Sequence, residues 1–271
     1  LLYFGKNYQE SFDLAQSILN NDPNSFLMRR MQFLNKAAME QYPEAQQLAE
    51  KFFSTPTSGA NRFTSNDYTS YGDVLSALGQ DSLAIIQIEK AVEINPDKAD
   101  LLKKLSSAYY GAKVYDKAAE AFQKYIDAGE YSTNDLFVLA GRYMTAAAAA
   151  ESGSDAKKQA VDNAIKYVDM VIAKVPDDYR IHQRKARILI VANDNVSNAD
   201  ASAAYQQTLD VLNADPENIK KHVDVYREAY NSIGSYYILQ KDNDKAREYY
   251  GKMLELDPEN EALKKYIENL K

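Results

Sequence analysis

Cysteine is absent from this 271-residue chain, which removes disulfides, thiolate nucleophiles and thiolate metal sites together. That absence fits a protein exported by a bacterium, and export is slightly favoured over the cytoplasm, although cytosolic proteins can lack cysteine too. Tryptophan is absent too, and only two histidines occur, His182 and His222, so imidazole chemistry has few places to stand. Long hydrophobic runs are missing. One of the strongest, ILIVA at 188–192, is far short of the ~20 residues a membrane helix needs. Basic excess is missing as well: 32 Lys and Arg face 39 Asp and Glu, for a net charge of −7. Non-specific nucleic-acid binding requires a basic surface that displaces counterions from phosphate, so nucleic acid is not an expected partner.

What is present is enough apolar material for a continuous core, 45% of the chain, with 21 Tyr and 9 Phe among it. One phrase recurs. In LNNDPN, VEINPDK, AKVPDD, LNADPEN and LELDPEN an apolar helix end runs into Asp, Asn or Val and then Pro23, Pro96, Pro176, Pro216 or Pro258. Twelve residues before each proline stands a small residue: Ser11, Ala84, Ala164, Ala204 and Ala246. Ala45 and Ala118 fit the same frame without the proline, and Phe122 and Tyr125 follow Ala118 at four and seven positions, which is one helical face. A first helix precedes each of these. In the last copy Tyr230, Ile233, Gly234 and Tyr237 form its buried stripe, Lys241–Asp244 the turn, and Ala246, Tyr250 and Met253 the second helix. Small residues recur where paired helices would cross, at Gly72, Ser106, Ala140, Ala186 and Gly234, with Phe33 as the departure.

This pattern resembles the tetratricopeptide repeat, a helix–turn–helix unit of about 34 residues. Residues 227–260 carry the resemblance furthest: Tyr230 stands at the usual Trp position, followed by Ile233-Gly234, Tyr237, Ala246, Tyr250 and Pro258, while Met253 replaces the second alanine. The resemblance implies an all-α, right-handed α-solenoid spanning 1–271 in about seven units. They are expected at 1–24 (partial), 26–59, 65–98, 99–132, 133–178, 179–218 and 219–260, with a capping helix over 261–271 whose stripe is Leu263, Tyr266, Ile267 and Leu270. Leu1 and Leu2 are expected near the end of a helix that begins upstream.

Three irregularities carry further expectations. Tyr143 and Ala164 stand twenty-one residues apart where nine is the rule. Alanine is the best helix former, so Ala146–Ala150 are read as extra turns on a first helix, with ESGSD at 151–155 as the displaced turn and Ser154 or Asp155 as the cap. NDNVSNAD at 193–200 is a smaller insertion. Residues 219–226 are expected to extend the last first helix, because Ile219, Val223, Tyr226, Tyr230 and Ile233 keep one stripe.

No catalytic constellation emerges. The chain has no HExxH, no GxSxG and no phosphate-binding glycine loop. NDNVSNAD and QKDNDKA lack the glycine and distant glutamate of a calcium loop. His182 occupies the position of a repeat's first aromatic, which favours packing. No cofactor or metal is expected. The resemblance implies instead a non-enzymatic scaffold that binds a protein or peptide in a concave groove lined by first helices, at repeat positions 2, 5, 9, 12 and 13. Those positions are Arg30 and Leu34; Asn66, Thr69 and Asp73; Lys103, Ser107 and Tyr110; Phe137 and Met144; Arg180, Gln183 and Arg187, with Arg184 adjacent; and Asn231 and Ser235. Lys103 with Ser107 lacks the asparagines of the carboxylate clamp known in chaperone-binding members. YRIHQRKARIL, by contrast, sets Arg180, Arg184 and Arg187 on one face of an otherwise acidic chain, and forked guanidinium donors suit an acidic segment. Two other readings stay open: an envelope-associated assembly or uptake component, and the docking region of a larger protein.

Overall fold

The computed structural model describes residues 2–129 and 131–270, and every regular element among them is a helix. Two compact units result, Leu1–Glu130 and Tyr131–Lys271. The first holds α1 (Tyr8–Asn21), α2 (Phe26–Ala38), α3 (Tyr42–Phe53), α4 (Ser65–Ala77), α5 (Asp81–Ile94), α6 (Ala99–Gly111) and α7 (Tyr115–Asp127). The second holds α8 (Thr133–Ala149), α9 (Asp155–Ile172), α10 (Tyr179–Ala192), α11 (Ala199–Leu212), α12 (Asn218–Lys221), α13 (Val223–Leu239), α14 (Asn243–Glu255) and α15 (Glu261–Asn269). Each is a stack of helix hairpins of the all-α helical-repeat solenoid class.

The hairpins pair a first (A) helix with a second (B) helix: α2 with α3, α4 with α5, α6 with α7, α8 with α9, α10 with α11, and α13 with α14. Small residues let the two helices of a pair approach. Ala45, Ala84, Ala118, Ala164 and Ala246 are all fully buried on the B helices, facing Ser106, Ala140 and Ala186 on the A helices. Gly72 shows how tight the fit is, since a Cβ there would lie 2.8 Å from Ile88 Cγ1. Large side chains fill the intervals, among them Phe33, Phe52, Leu75, Ile88, Leu136, Tyr205 and Tyr226.

Most A helices end in one turn. Gln41 N–H donates to Lys36 O while Glu40 N–H donates to Ala37 O, and the same pair of bonds closes the helices at Gly79-Gln80, Lys113-Val114 and Lys241-Asp242. The turning residue is left-handed each time, with φ of 59° at Glu40, 72° at Gly79, 61° at Lys113 and 60° at Lys241. Only Gly79 adopts that conformation without a Cβ penalty. The pattern recurs at Leu2–Asn7, ahead of α1, where Lys6 has φ 61°; Leu1 itself lies outside the described residues.

The enlarged hairpin is built as the alanine run suggests. α8 runs on through Ala149, and Ser154 caps α9 by accepting the Lys157 N–H. The insertion at 193–198 folds against it. Asp194 accepts hydrogen bonds from Ser152 Oγ at 2.7 Å and from Lys157 Nζ at 2.5 Å, so the two irregularities form one structure. The extension expected over 219–226 holds for Val223–Tyr226, which open α13, and is corrected for 219–222. Residues 218–221 form the separate turn α12, the chain breaks at His222 (φ −128°, ψ 35°), and α13 starts at Val223. Two contacts hold the break: the His222 ring packs against Tyr179, and the Asn218 side-chain amide bonds Leu212 O. Ile219 is consequently exposed and leaves the stripe. At the end of the chain, α15 lies on α14 through an edge-to-face contact between Tyr250 and Tyr266, with Asn260 as its cap. None of its residues is fully buried.

Candidate partner-binding surface

Within each unit A helices touch A helices, α2 against α4 and α8 against α10, while no two B helices come into comparable contact. The residues expected to meet a partner lie on these A helices. Charge is unevenly spread and does not divide by helix type, since the A helix α4 carries Asp67 and Asp73 and no cation. α2 carries Arg29, Arg30 and Lys36 without a carboxylate, and α10 carries Arg180, Arg184, Lys185 and Arg187 without one. The B helices α1 and α11 carry only Glu10 and Asp13, and only Asp200 and Asp210.

Several of the expected contact residues hold one repeat to the next. Arg30 on α2 reaches Asp67 on α4: its Nη2 donates to Asp67 Oδ2 at 2.9 Å and to Arg62 O at 2.6 Å. Its Nε also lies 2.9 Å from Asp67 Oδ1, but that pair is not aligned as a hydrogen bond. Asp67 is 1% exposed and Arg30 20%; the guanidinium packs over the Phe26 and Phe52 rings. Asp67 also closes the α4 capping box with Thr64. Asp73 on α4 pairs with Lys104 on α6 at 2.5 Å. Leu34 and Asp73 share a cleft of about 320 Å³ with Tyr3, Tyr42 and Ser70. Lys103 lies over the Tyr125 ring at 4.2 Å, and the half-exposed Tyr110 meets Tyr115 edge-on.

In the second unit the tie is Glu228 on α13. It accepts from Arg187 through Nε and Nη2 at 2.6 and 2.5 Å, from Gln183 Nε2 at 2.7 Å and from Tyr205 Oη at 2.6 Å. Burial pushes the Glu228 carboxyl up, but the hydrogen bonds from Arg187 and Tyr205 and the Arg187 charge outweigh it and hold it below the usual range. Tyr205 is raised well above the phenol range, by burial first and then by its bond to Glu228.

Arg180, Arg184 and Phe137 come together. A cleft of about 200 Å³ opens at the start of α8, the end of α9 and the start of α10; Phe137, Val171, Val175 and Ile181 line it, with Asn134 and Arg180 at the rim. Arg184 lies over the Phe137 ring, 4.5 Å from its centroid. Gly141 makes room, since a Cβ there would stand 2.6 Å from Arg184 Nη1. Arg180, with its side chain 67% exposed, chelates Asp178 through Nε and Nη2. That bond holds Asp178 below the usual carboxylate range and raises Arg180. Of the remaining expected positions, Ser235 bonds the Tyr250 hydroxyl at 3.0 Å and Ser107 bonds Lys103 O, so both are turned to the protein's own groups. Asn231 and Asn66 are exposed.

His182 is buried, and its Nε2 pairs with Pro176 O at 2.7 Å, so it braces the turn ahead of α10. Sequence reasoning missed Glu228, Asp67 and Gly141, because pairing across repeats has no signature within one repeat. Among the described residues no helix is long and apolar enough to cross a membrane, and no three His, Asp or Glu side chains converge as metal ligands.

Two family models, each described as Tetratricopeptide repeat, match residues 227–260 and 68–98. The chain is a tetratricopeptide-repeat (TPR) protein. TPR stacks are typically non-catalytic protein–protein interaction scaffolds. The C-terminal part of a TPR repeat-containing protein from Cytophaga hutchinsonii superposes with a TM-score of 0.63 at 23% identity, over 97% of this chain and 96% of that one. A chain of the Naa15/Naa10 complex bound to HypK-THB gives 0.69 at 16% identity, over 99% of this chain and 37% of that one. YrrB, described as a TPR protein with an unusual peptide-binding site, gives 0.50 at 18% identity, over 74% and 91%. At these identities the likenesses show the fold. The DnaJ protein P58IPK homolog of Arabidopsis thaliana is 25% identical over 189 residues, 69% of this chain, and the match spans 36% of that protein's length.

Proposed function

We propose that this chain is a non-enzymatic scaffold that takes an extended segment of a partner protein on the inner face of its A helices, and that the segment meeting α10 is acidic. The observation that carries this reading is α10 itself, with four cations and no carboxylate in a chain of net charge −7. Arg180, Arg184 and Arg187 follow at helical spacing, and the first of them stands well out in solvent. A carboxylate arriving there meets forked donors already ordered by Asp178, by Phe137 and by Glu228, so less side-chain freedom is lost on binding. Long-range attraction would speed the encounter and weaken with salt.

Arg180 and Arg184 are the positions to reverse, because Arg187 also braces Glu228. Titration with an N-acetylated, C-amidated acidic peptide should show the Arg180→Glu/Arg184→Glu double variant binding about tenfold or more weakly than the parent at low salt. An unchanged affinity, with the thermal melt also unchanged, would remove α10 from the binding surface.

A further inference from the structure

The 200 Å³ cleft beside Arg180 is smaller than the ~300–1,000 Å³ typical of metabolite sites. Its walls are apolar, from Phe137, Val171, Val175 and Ile181, and its open side is rimmed by Asn134 and Arg180. Ile181 is buried, whereas Val175 remains 40% exposed, so the cleft has an apolar wall that the unit itself leaves uncovered. Arg184, resting on the far part of the same wall at Phe137, sets a second guanidinium beside the first. The rim carboxylate, Asp178, is already saturated by Arg180 and by the Arg180 backbone N–H. Apolar depth thus coincides at one place with the Arg180–Asp178 pair and the Arg184 guanidinium.

We infer that this cleft is an anchor pocket for a single leucine- or phenylalanine-class side chain of the partner, borne by a segment with Asp or Glu next to that residue. The inference rests on the scaffold reading and narrows it. The acidic neighbours select α10 electrostatically, while the apolar side chain fixes the register by filling a pocket sized for one residue. Charge complementarity names the occupant: α10 has only cations among its charged side chains and projects Arg180 into solvent beyond Asp178, which favours an acidic segment over a basic one. A wholly polar segment would leave the apolar wall wet. A free chain terminus is not required, because side-chain carboxylates supply the charge.

The probes are three N-acetylated, C-amidated peptides of alternating Asp, Glu and Ser, identical except for a central Leu, Phe or Ala. The Leu and Phe probes should bind the full chain about tenfold or more tightly than the Ala probe, the ratio expected from burying one such side chain. Val175→Trp, which fills the cleft from its exposed wall, should bring the Leu probe to the affinity of the Ala probe and leave the Ala probe unchanged. Asn134→Trp closes the pocket from the rim, and the same outcome is expected should Val175→Trp fail to fold. Equal binding of Leu and Ala probes, or equal weakening of both by the tryptophan, overturns the anchor while leaving the acidic-segment scaffold standing. Absence of binding by all three probes at low salt overturns both.

Discussion

The two units solve the same problem with different materials. Each must tie one A helix to the next, and each does so with an arginine on one helix and a carboxylate on its successor. In the first unit the tie is Arg30 to Asp67, sunk beneath a ring cluster that includes Phe26, Phe52, Phe53 and Phe63. In the second it is Arg187 to Glu228, half in solvent and joined by Gln183 and Tyr205. Depth decides what each pair is worth. A buried carboxylate left alone is costly because nothing solvates it, whereas a half-exposed one recovers much of its solvation from water. The two units also differ in exposure: Arg30 is enclosed by its own structure, while Arg180 on α10 stands well out in solvent.

The largest expected effect tests that depth. Asp67→Ala should destabilise the first unit by about 3–5 kcal/mol, since it strands Arg30 and opens the α4 capping box. Urea denaturation followed by tyrosine fluorescence reads the loss, and hydrogen exchange should place it in α2 and α4. A cost below about 1 kcal/mol would make the buried tie no stronger than a surface pair.

Glu228 should cost less and be pH-dependent. Because its pKa is depressed in the folded state, its contribution is present above the unfolded value near 4.3 and is lost as pH falls through the folded one. Glu228→Gln should therefore be less stable than the parent at pH 7, by about 1–2 kcal/mol, and the gap should close as the pH drops below about 4. A gap constant between pH 7 and pH 3 would show that the carboxylate charge contributes nothing.

Two glycines respond differently to the same change, and the smallest effect falls on Gly141. Gly72→Ala drives a methyl into Ile88 within the packed crossing and should cost about 1–3 kcal/mol. Gly141→Ala meets only the far end of the Arg184 side chain, which can turn aside, so stability should hold or rise by about 0.5–1 kcal/mol, from helix propensity. What it should lose is the seat of Arg184 on Phe137, and with it affinity for an acidic probe. Parallel melts and titrations of the two variants check both halves.

The hairpins were legible in the sequence because packing writes them at fixed intervals: Ala45, Ala84, Ala118, Ala164 and Ala246 recur in phase, and all are buried. Even the long α8–α9 hairpin could be read, since a run of alanine has one strong preference. The break at His222 could not. The stripe from Ile219 to Ile233 is continuous in periodicity, and the break is held by the contact of His222 with Tyr179, over forty residues away, and by the Asn218 amide on Leu212 O. The candidate site was legible in part for the same reason. Positions named from the repeat, such as Phe137 and Arg180, do converge on one cleft. Which of the other cations are engaged internally depended on Asp67, Asp178 and Glu228, and only Asp178 is near its partner in sequence.

Affinity against ionic strength reads whether α10 presents the charge that an acidic partner segment meets. Titration of the blocked Leu-centred acidic peptide from 50 to 300 mM salt should show binding that weakens steadily in the parent protein. In Arg180→Glu/Arg184→Glu it should be about tenfold or more weaker at the low end and should hold or rise with salt, because screening there relieves repulsion. Equal affinities and equal salt slopes for the two proteins would contradict the account.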